Sequence, residues 1–296
     1  MLLSTYNGEK FLSVQLESLL AQQDIDLTIF IRDDGSSDTT PTILAQFAAQ
    51  HKNIHLRLEK NRGVIASFFD LITTVEYGFD YYALADQDDY WLPEKLISAV
   101  NKLEQQSKGQ PLLYCSALEY VDQNLEHLGI SNVNFKPAFG NALVENIVTG
   151  CTAVFNAELR TLARGYQPKQ AVMHDWWLYL LATAFGQVIY DPISYIKYRQ
   201  HGGNVIGATP SFMRLWRRRL MILLQAKPIV STLQATEFYT CYQNMLSKDK
   251  LLLAKKFVDR KSDMSARWFI FYSALIYKQN GLDTVAMKFL IALGRY

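Results

Sequence analysis

The sequence predicts an α/β fold built on a mostly parallel sheet with helices on both faces. Over the first hundred residues, short apolar runs alternate with stretches of helical period. Such alternation is typical of parallel sheets, because each crossover helix covers one face of the sheet. Polar clusters recur where the apolar runs end, and sheets of this class bind ligands at the carboxyl ends of their strands.

The predicted strands of this part are short and apolar. They comprise residues 1–3, 27–31, 54–58 and 81–85. The spacing of apolar residues between them predicts helices over residues 11–23, 39–50, 63–75 and 92–106. Asp38 is the expected N-cap of the second helix, and Pro41 falls in its first turn, where a missing N–H is harmless.

The rest of the chain is less regular. Residues 112–116 and 151–155 have the pattern of strands, residues 175–185 that of a helix, and the chain from residue 211 onward is helical in period. A length of 296 residues suits one large domain or one domain with an extension. We therefore expect a domain over residues 1–210, with halves at about 1–110 and 111–210, and a helical extension over 211–296.

Charge separates these two parts. Residues 1–210 hold 15 Lys and Arg against 23 Asp and Glu, a net −8, whereas residues 211–296 hold 15 against 5, a net +10. A uniformly basic binder of nucleic acid is therefore disfavoured, and no nucleic-acid partner is expected.

The cysteines and apolar segments indicate the compartment. Three scattered cysteines without CxxC spacing signal neither a disulfide framework nor a structural zinc site. No apolar run reaches the roughly 18 residues of a membrane span, and no secretory signal precedes the first strand. We expect a cytoplasmic protein whose natural start lies a few residues upstream.

Three neighbouring carboxylates follow the predicted strand 81–85. Asp86 and Asp88 can face one ligand, because residues two apart point the same way in extended chain. Mg²⁺ or Mn²⁺ would relieve their repulsion and bridge a diphosphate. The alternative is a solvated acidic turn that caps the helix near Leu92.

Other polar groups admit a functional and a structural interpretation. One carboxylate of the Asp33-Asp34 turn could accept the N3–H of a pyrimidine base on which Tyr6 stacks, or the turn could only cap the next helix. Asp175 could be a general base, or the N-cap of a helix. The tryptophans after it could face a sugar or staple the core. Arg199 and His201 could contact a diphosphate or a metal, or be structural.

These motifs together resemble family 2 glycosyltransferases of the GT-A fold. The resemblance spans about residues 1–210 and rests on STYNGE at 4–9, RDDGSSD at 32–38, NRG at 61–63, DQDDYW at 86–91, HDWW at 174–177 and YRQHGGN at 198–204. The variants DQDDxW, MHDWW and YRQHGGN resemble the bacterial rhamnosyltransferase branch, which builds rhamnose-rich cell-wall polysaccharides.

The resemblance implies a role for each matched residue. Asp175 would be the catalytic base, although His174 precedes it in place of the commoner Glu. The nucleotide-sugar would be bound by Ser4, Tyr6, Glu9, Asp34, Asn61, Arg62, Asp86 and Arg199, the metal by Asp86, Asp88 and His201, and the acceptor by Gly150, Cys151, Trp176 and Trp177.

The implied reaction is an inverting transfer that depends on Mg²⁺ or Mn²⁺. The expected donor is dTDP-β-L-rhamnose and the acceptor a glycan or lipid-linked glycan. Three alternatives stay open: a transferase with a UDP-hexose donor, a nucleotidyltransferase, and a non-catalytic nucleotide-sugar-binding subunit. The nucleotidyltransferase is disfavoured because residues 4–9 are not a Gly-rich loop bearing Lys or Arg.

The basic extension begins with an amphipathic pattern. Arg214, Arg217, Arg218 and Arg219 surround Trp216 and Leu220 at helical spacing. Such a helix over 211–224 could lie on an anionic membrane surface. The resemblance implies the inner face of the cell membrane, because the acceptors of that branch are lipid-linked there. Alternatively it packs on the catalytic domain, or the extension pairs with a second copy in a homodimer.

Overall fold

The parallel half of the sheet is the part nearest to the sequence prediction. The computed structural model describes residues 1–75, 78–201 and 230–296. Its first strands are β1 (Leu2–Thr5), β2 (Ile29–Asp33), β3 (Ile54–Leu58) and β4 (Tyr81–Ala85). They lie in the order β3-β2-β1-β4 and are all parallel, so their carboxyl ends meet at one edge.

Helices follow each of these strands, as predicted. They are α1 (Leu12–Leu20), α2 (Thr40–Gln50), α3 (Val64–Thr74) and, after the short strand β5 (Tyr90–Trp91), α4 (Lys95–Glu104). The Asp38 carboxylate accepts the Thr40 N–H at 3.0 Å just before α2, close to the expected cap. The strand expected at 27–31 is shifted two residues and ends at Asp33, which brings Asp33 and Asp34 to the sheet edge.

The second half of the sheet is mixed. It contains β6 (Leu112–Val121), β7 (His127–Ile130), β8 (Val154–Asn156) and β9 (Gln187–Arg199). β8 is antiparallel to both β4 and β6, whereas β6 and β9 are parallel. The sequence did not predict β9, because its thirteen residues show no regular alternation of buried and exposed positions. Residues 150–152, partly assigned to a strand, form a 3₁₀ turn instead.

Three helices belong to this half: α5 (Phe139–Ala142), α6 (Ala157–Arg164) and α7 (His174–Phe185). α7 is almost wholly buried, in keeping with its apolar sequence. It begins at the edge where the strands β1, β2 and β4 end, and it thereby delivers the HDWW segment to the site.

Further helices at the carboxyl end of the chain pack on this half. They are α8 (Val230–Tyr242), α9 (Lys248–Asp259), α10 (Met264–Tyr272) and α11 (Gly281–Ala292). Phe238 of α8 lies 5.7 Å from the Trp177 ring of α7 and 5.9 Å from Phe139. These helices therefore share a core with the sheet domain, while the expected boundary at 210 lies outside the described residues. In the described parts of the chain, no helix has both the length and the apolar character of a membrane span.

Candidate functional site

A cleft of about 390 Å³ lies at the edge where the parallel strands end. Eight of the predicted site residues line it, and they come from both halves of the domain: Ser4, Tyr6, Asp34, Asn61, Asp86, Asp88, Gly150 and Asp175. The lining also includes residues that the sequence analysis did not assign, namely Thr5, Gly63, Val64, Phe68, Gln87, Thr149, Met173, His174 and Tyr198. Asp34, Asp88 and Asp175 thus open onto one space.

Asp34 organises the loop at one end of the cleft. Its carboxylate pairs with the buried Arg32 guanidinium and accepts the backbone N–H groups of Arg62 at 2.9 Å and Gly63 at 2.8 Å. A carboxylate has about four acceptor positions, so one stays available to a ligand. Gly35 adopts a φ of 79°, and a Cβ there would come within 2.9 Å of the Asn61 nitrogen, so only glycine fits this turn.

Tyr6 is held through its backbone, which leaves its ring half-exposed at the cleft. The Gln87 side chain accepts the Tyr6 N–H at 2.8 Å and donates to the Tyr6 carbonyl at 3.0 Å. This role of Gln87 was not predicted from the sequence. Its position between Asp86 and Asp88 was the only signal, and an amide can pair with both backbone groups of one residue.

Acidic side chains crowd the middle of the cleft. Burial, together with the negative charges of Asp88 and Asp175, raises the pKa of Asp86 to about 7. Burial also raises the pKa of Asp89 well above its ordinary range, again with help from Asp88 and Asp86. The Asp88 carboxylate lies 2.8 Å from Nε2 of His201.

This donor set fits a divalent cation. Two carboxylates that line the cleft and an adjacent imidazole offer the oxygen and nitrogen ligands that Mg²⁺ and Mn²⁺ accept. Positive charge would also relieve the repulsion that raises the pKa of Asp86. Asp86, Asp89 and Cys151 form a second group whose ligand atoms lie within 4.8 Å of one another. Asp89 and Cys151 are fully buried, so the cleft-lining set is the better candidate.

Asp175 occupies the first turn of α7, and the helix is preceded by Met173 at the N-cap position. The N-cap alternative for Asp175 is therefore wrong. Its Oδ1 accepts from the Asn146 amide at 3.0 Å and the Trp176 N–H at 2.6 Å. Burial raises the pKa of Asp175 to about 7, and the hydrogen bonds from Trp176, Gly150 and Asn146 partly offset that rise. No sequence signal pointed to Asn146.

Three of the four predicted acceptor residues do not line the cleft. Trp177 is fully buried against Phe238, and Cys151 is fully buried beside Asp89, which corrects their assignment as acceptor contacts. The Trp176 indole donates to the Ala142 carbonyl at 2.7 Å. Consecutive helix positions point about 100° apart, so Asp175 and both tryptophans cannot all face one cleft.

Several predicted ligand contacts instead hold loops together. The Glu9 carboxylate accepts the Thr39 N–H at 2.9 Å and the Thr39 hydroxyl at 2.7 Å, at the start of α2. Arg199 donates from Nε to the Asp88 carbonyl at 2.8 Å, and its guanidinium lies 4.4 Å from the centre of the Phe11 ring. Arg62 lies 3.5 Å from Asp70. None of these three side chains lines the cleft as described.

The fold and this cleft define a transferase of the GT-A class. The model of the family described as Glycosyl transferase family 2 matches residues 2–157. The chain belongs to this family. It is 31% identical to a dTDP-rhamnosyl transferase of Shigella flexneri over 228 residues, which is 73% of this chain and 77% of that protein.

Two further proteins are similar to this chain. An uncharacterized protein of Mycobacterium tuberculosis is 24% identical over 212 residues, 68% of this chain and 58% of that protein. The crystal structure of S. aureus TarS 1–349 in complex with UDP-GlcNAc superposes with a TM-score of 0.59, covering 99% of this chain and 89% of that one. At 14% identity this likeness concerns the fold alone.

The buried carboxylate of Asp175 predicts a pH-dependent stability. Between pH 4 and 7 the folded protein retains a proton that the unfolded chain has lost, because burial raises the pKa of Asp175 from 3.8 to about 7. Stability falls as pH rises through this window. Asp175→Asn removes the charge, so without divalent cations we expect its free energy of unfolding at pH 8 to exceed that of wild type by up to about 4 kcal/mol.

Urea unfolding at pH 4.5 and pH 8 tests this expectation. The difference between the two proteins should shrink to about 1 kcal/mol at the lower pH, where the unfolded chain is still largely ionised at this position. Asp24→Asn is the control, because Asp24 is exposed and has a φ of 54° that Asn tolerates. Equal stability of wild type and Asp175→Asn at pH 8 would show that the carboxylate is well solvated.

Proposed function

We propose that this protein is an inverting, metal-dependent glycosyltransferase that moves L-rhamnose from dTDP-β-L-rhamnose to a hydroxyl of a lipid-linked cell-wall polysaccharide precursor. The observation that carries the proposal is the shared cleft, in which a buried carboxylate with a raised pKa shares one space with a pair of candidate metal ligands. Family membership supports the transferase class, and the relative from Shigella flexneri supports rhamnose as the sugar.

Asp175 would act as the general base. Its Oδ1 is held by Asn146 and Trp176, so Oδ2 is the oxygen that we assign to the acceptor hydroxyl. A base with a pKa near 7 takes a proton efficiently at neutral pH, as the hydroxyl oxygen attacks the anomeric carbon. The burial that raises this pKa also excludes water, which would otherwise compete with the acceptor.

Residues on the other side of the cleft would hold the donor. The exposed ring of Tyr6 offers a face for stacking on a nucleotide base, and Asp34 keeps an acceptor position for its N3–H. Asp86, Asp88 and His201 would hold the divalent cation, which neutralises charge on the departing diphosphate. Gln87 holds the backbone of Tyr6 next to the acidic segment through its two hydrogen bonds.

The alternatives differ in donor or in catalysis. A UDP-hexose donor presents the same N3–H and O4 edge as thymidine and lacks only the C5-methyl group, so Asp34 does not discriminate between them. A non-catalytic nucleotide-sugar-binding subunit would have no need of a buried carboxylate opposite the candidate metal ligands. A nucleotidyltransferase remains disfavoured, because the loop after β1 has neither Lys nor Arg within residues 4–9.

We expect Asp175→Asn to retain donor binding and to lose transfer by roughly 10²–10⁴-fold, the usual contribution of a general base. Mass spectrometry of products from dTDP-rhamnose and from UDP-sugars measures transfer, and calorimetry measures donor binding. Asp24→Asn should behave as wild type. Near-normal transfer by Asp175→Asn would refute its assignment as the general base. A preference for UDP-sugars would refute dTDP-rhamnose as the donor.

Removal of divalent cations should abolish transfer, and added Mg²⁺ or Mn²⁺ should restore it. Without the cation, the acidic cleft repels the diphosphate of the donor. Asp88→Asn should require a higher cation concentration for half-maximal rate than wild type, because one ligand has lost its charge. Full activity in the presence of a chelator would rule out the metal-dependent mechanism.

The carboxyl-terminal helices also support a peripheral contact with the inner face of the cell membrane. The predicted membrane helix 211–224 lies outside the described residues. Within the described part, α10 exposes Met264, Trp268 and Tyr272, and α11 exposes Leu282, Val285 and Phe289, with the exposed Leu293 directly after it. The rings of Phe271 and Phe289 meet at 5.6 Å and join the two surfaces. Aromatic residues on a positively charged segment suit an anionic membrane interface.

The double substitution Trp268→Ser and Phe289→Ser should weaken binding to anionic vesicles about tenfold or more, measured by cosedimentation at low salt. Leu128→Ser with Ile130→Ser is the matched control, since both are exposed apolar residues of β7 in the acidic part of the chain. Undiminished binding of the α10–α11 variant would contradict the membrane contact. Self-association that this variant alone abolishes would favour the homodimer instead.

A further inference from the structure

His174 is a buried polar side chain that the proposed mechanism leaves without a role. It is the first residue of α7, it lines the cleft next to Asp175, and it is only 2% exposed. Its ring stacks on Phe68 with the ring centres 4.0 Å apart and the planes 19° apart. Gly150 lies close to Nε2 of the ring, because a Cβ at Gly150 would come within 2.9 Å of that nitrogen.

Neither ring nitrogen of His174 has a hydrogen-bond partner among the described residues. A buried polar group left in this state costs about 1–3 kcal/mol, and native structures contain few of them. Phe would fill the same space and stack on Phe68 without this cost. We therefore expect the imidazole to form its hydrogen bond with a bound molecule, or with another residue that moves when a ligand binds.

The charge state of His174 restricts that partner. Burial lowers the pKa of His174 to about 3, so the ring is neutral around pH 7. A neutral imidazole offers one N–H donor and one acceptor nitrogen, which is the complement of a hydroxyl. A neutral ring has no charge with which to attract an anionic group, and the acidic side chains of Asp86 and Asp175 line the same cleft. The chemistry fits a neutral sugar hydroxyl better than a carboxylate or phosphate.

The packing of the His174 ring indicates which sugar it contacts, that of the donor or that of the acceptor. Phe68 belongs to α3, and its neighbour Ser67 is hydrogen-bonded at 2.6 Å to Ser4 at the end of β1. The His174 ring therefore lies between α3, in the half of the domain that we assign to the donor, and Gly150, in the half that we assign to the acceptor. Asn146 binds Asp175 from the acceptor half. The transferred sugar has to occupy this junction, because it passes from the donor to the acceptor.

We propose that His174 is a specificity residue that hydrogen-bonds a hydroxyl of the transferred sugar in the donor. The inference rests on the proposed function and deepens it, because it selects a neutral sugar with a hydroxyl at one particular position. A turn of the ring about its Cβ–Cγ bond preserves the stacking on Phe68, so either nitrogen can serve. The solvent-shielded ring forms this bond only once the sugar has reached the Gly150 turn.

The kinetic test compares His174→Phe and His174→Gln with wild type. The donors are the nucleotide-sugar selected by the product screen and analogues of it that each lack one sugar hydroxyl. We expect His174→Phe to lower kcat/KM for the intact donor by about tenfold to a hundredfold, and His174→Gln to recover part of that loss. The analogue that lacks the hydroxyl bound by His174 should react equally slowly with wild type and with His174→Phe, because neither pair can form that hydrogen bond.

A uniform loss with every donor, including all analogues, would mean that His174 only supports the structure and would overturn the inference. So would an unchanged kcat/KM in His174→Phe. Thermal unfolding of each variant separates these outcomes from misfolding, which His174→Phe is expected to avoid because it keeps the ring and removes two unpaired buried atoms.

A binding readout keeps the inference testable apart from catalysis. Nitrogen-15 spectra of the histidine side chains should show the His174 signals shifting when dTDP-rhamnose is added, and much less with thymidine diphosphate alone. Equal shifts with both ligands, or none with the sugar nucleotide, would contradict contact with the sugar. Absence of transfer by wild type with every donor would instead count against the proposed function.

Discussion

The site depends on the electrostatic repulsion among carboxylates that the fold gathers in a poorly hydrated place. Asp86, Asp88, Asp89 and Asp175 come from two distant segments, and three of them have pKa values raised by burial. Such carboxyl groups keep their protons to a higher pH, but they ionise at lower pH when a cation binds beside them. The cleft is therefore suited to a cation, because Asp86 and Asp88 repel each other, and to proton transfer, because burial raises the pKa of Asp175.

The surrounding structure stabilises this arrangement by fixing the chain rather than by cancelling the charge. Arg199 binds the carbonyl of Asp88 instead of its carboxylate. Lys95 lies behind Asp89, 3.3 Å from the centre of the Trp91 ring, and burial lowers the pKa of Lys95 to about 7 against the opposing effects of Cys151 and Asp89. With the nearest cations turned to other partners, the carboxylates facing the cleft remain able to bind ligands.

The sequence predicted the parallel half of the fold well and the mixed half poorly. The apolar runs of β1 to β4 are local signals, and parallel strands necessarily bring their polar ends to one edge. β9 gave no such signal, because long-range pairing with β6 and β5 decides its position. Asn146 could not be found for the same reason: its value lies in a contact with Asp175, 29 positions later.

Within the candidate site, the number of hydrogen bonds already made by a side chain separates two kinds of residue that look alike in sequence. Asp33, Glu9 and Arg199 are as charged as their neighbours, but their polar atoms bind other parts of the chain and so build the loops. The spacing of the motifs does not separate residues that build the loops from residues that contact a ligand, because both must stand at defined positions in the sequence.

The residues with polar atoms left over form the other kind. Asp34 keeps one acceptor position, Asp175 keeps Oδ2, and His174 keeps both ring nitrogens, and all three line one cleft. An unpaired buried atom, such as either ring nitrogen of His174, lowers the stability of the folded protein unless a bound molecule completes its hydrogen bonds. The hydrogen bonds that these side chains leave unmade lower the stability of the free protein. When a polar substrate forms them, they contribute to its binding energy and to specificity.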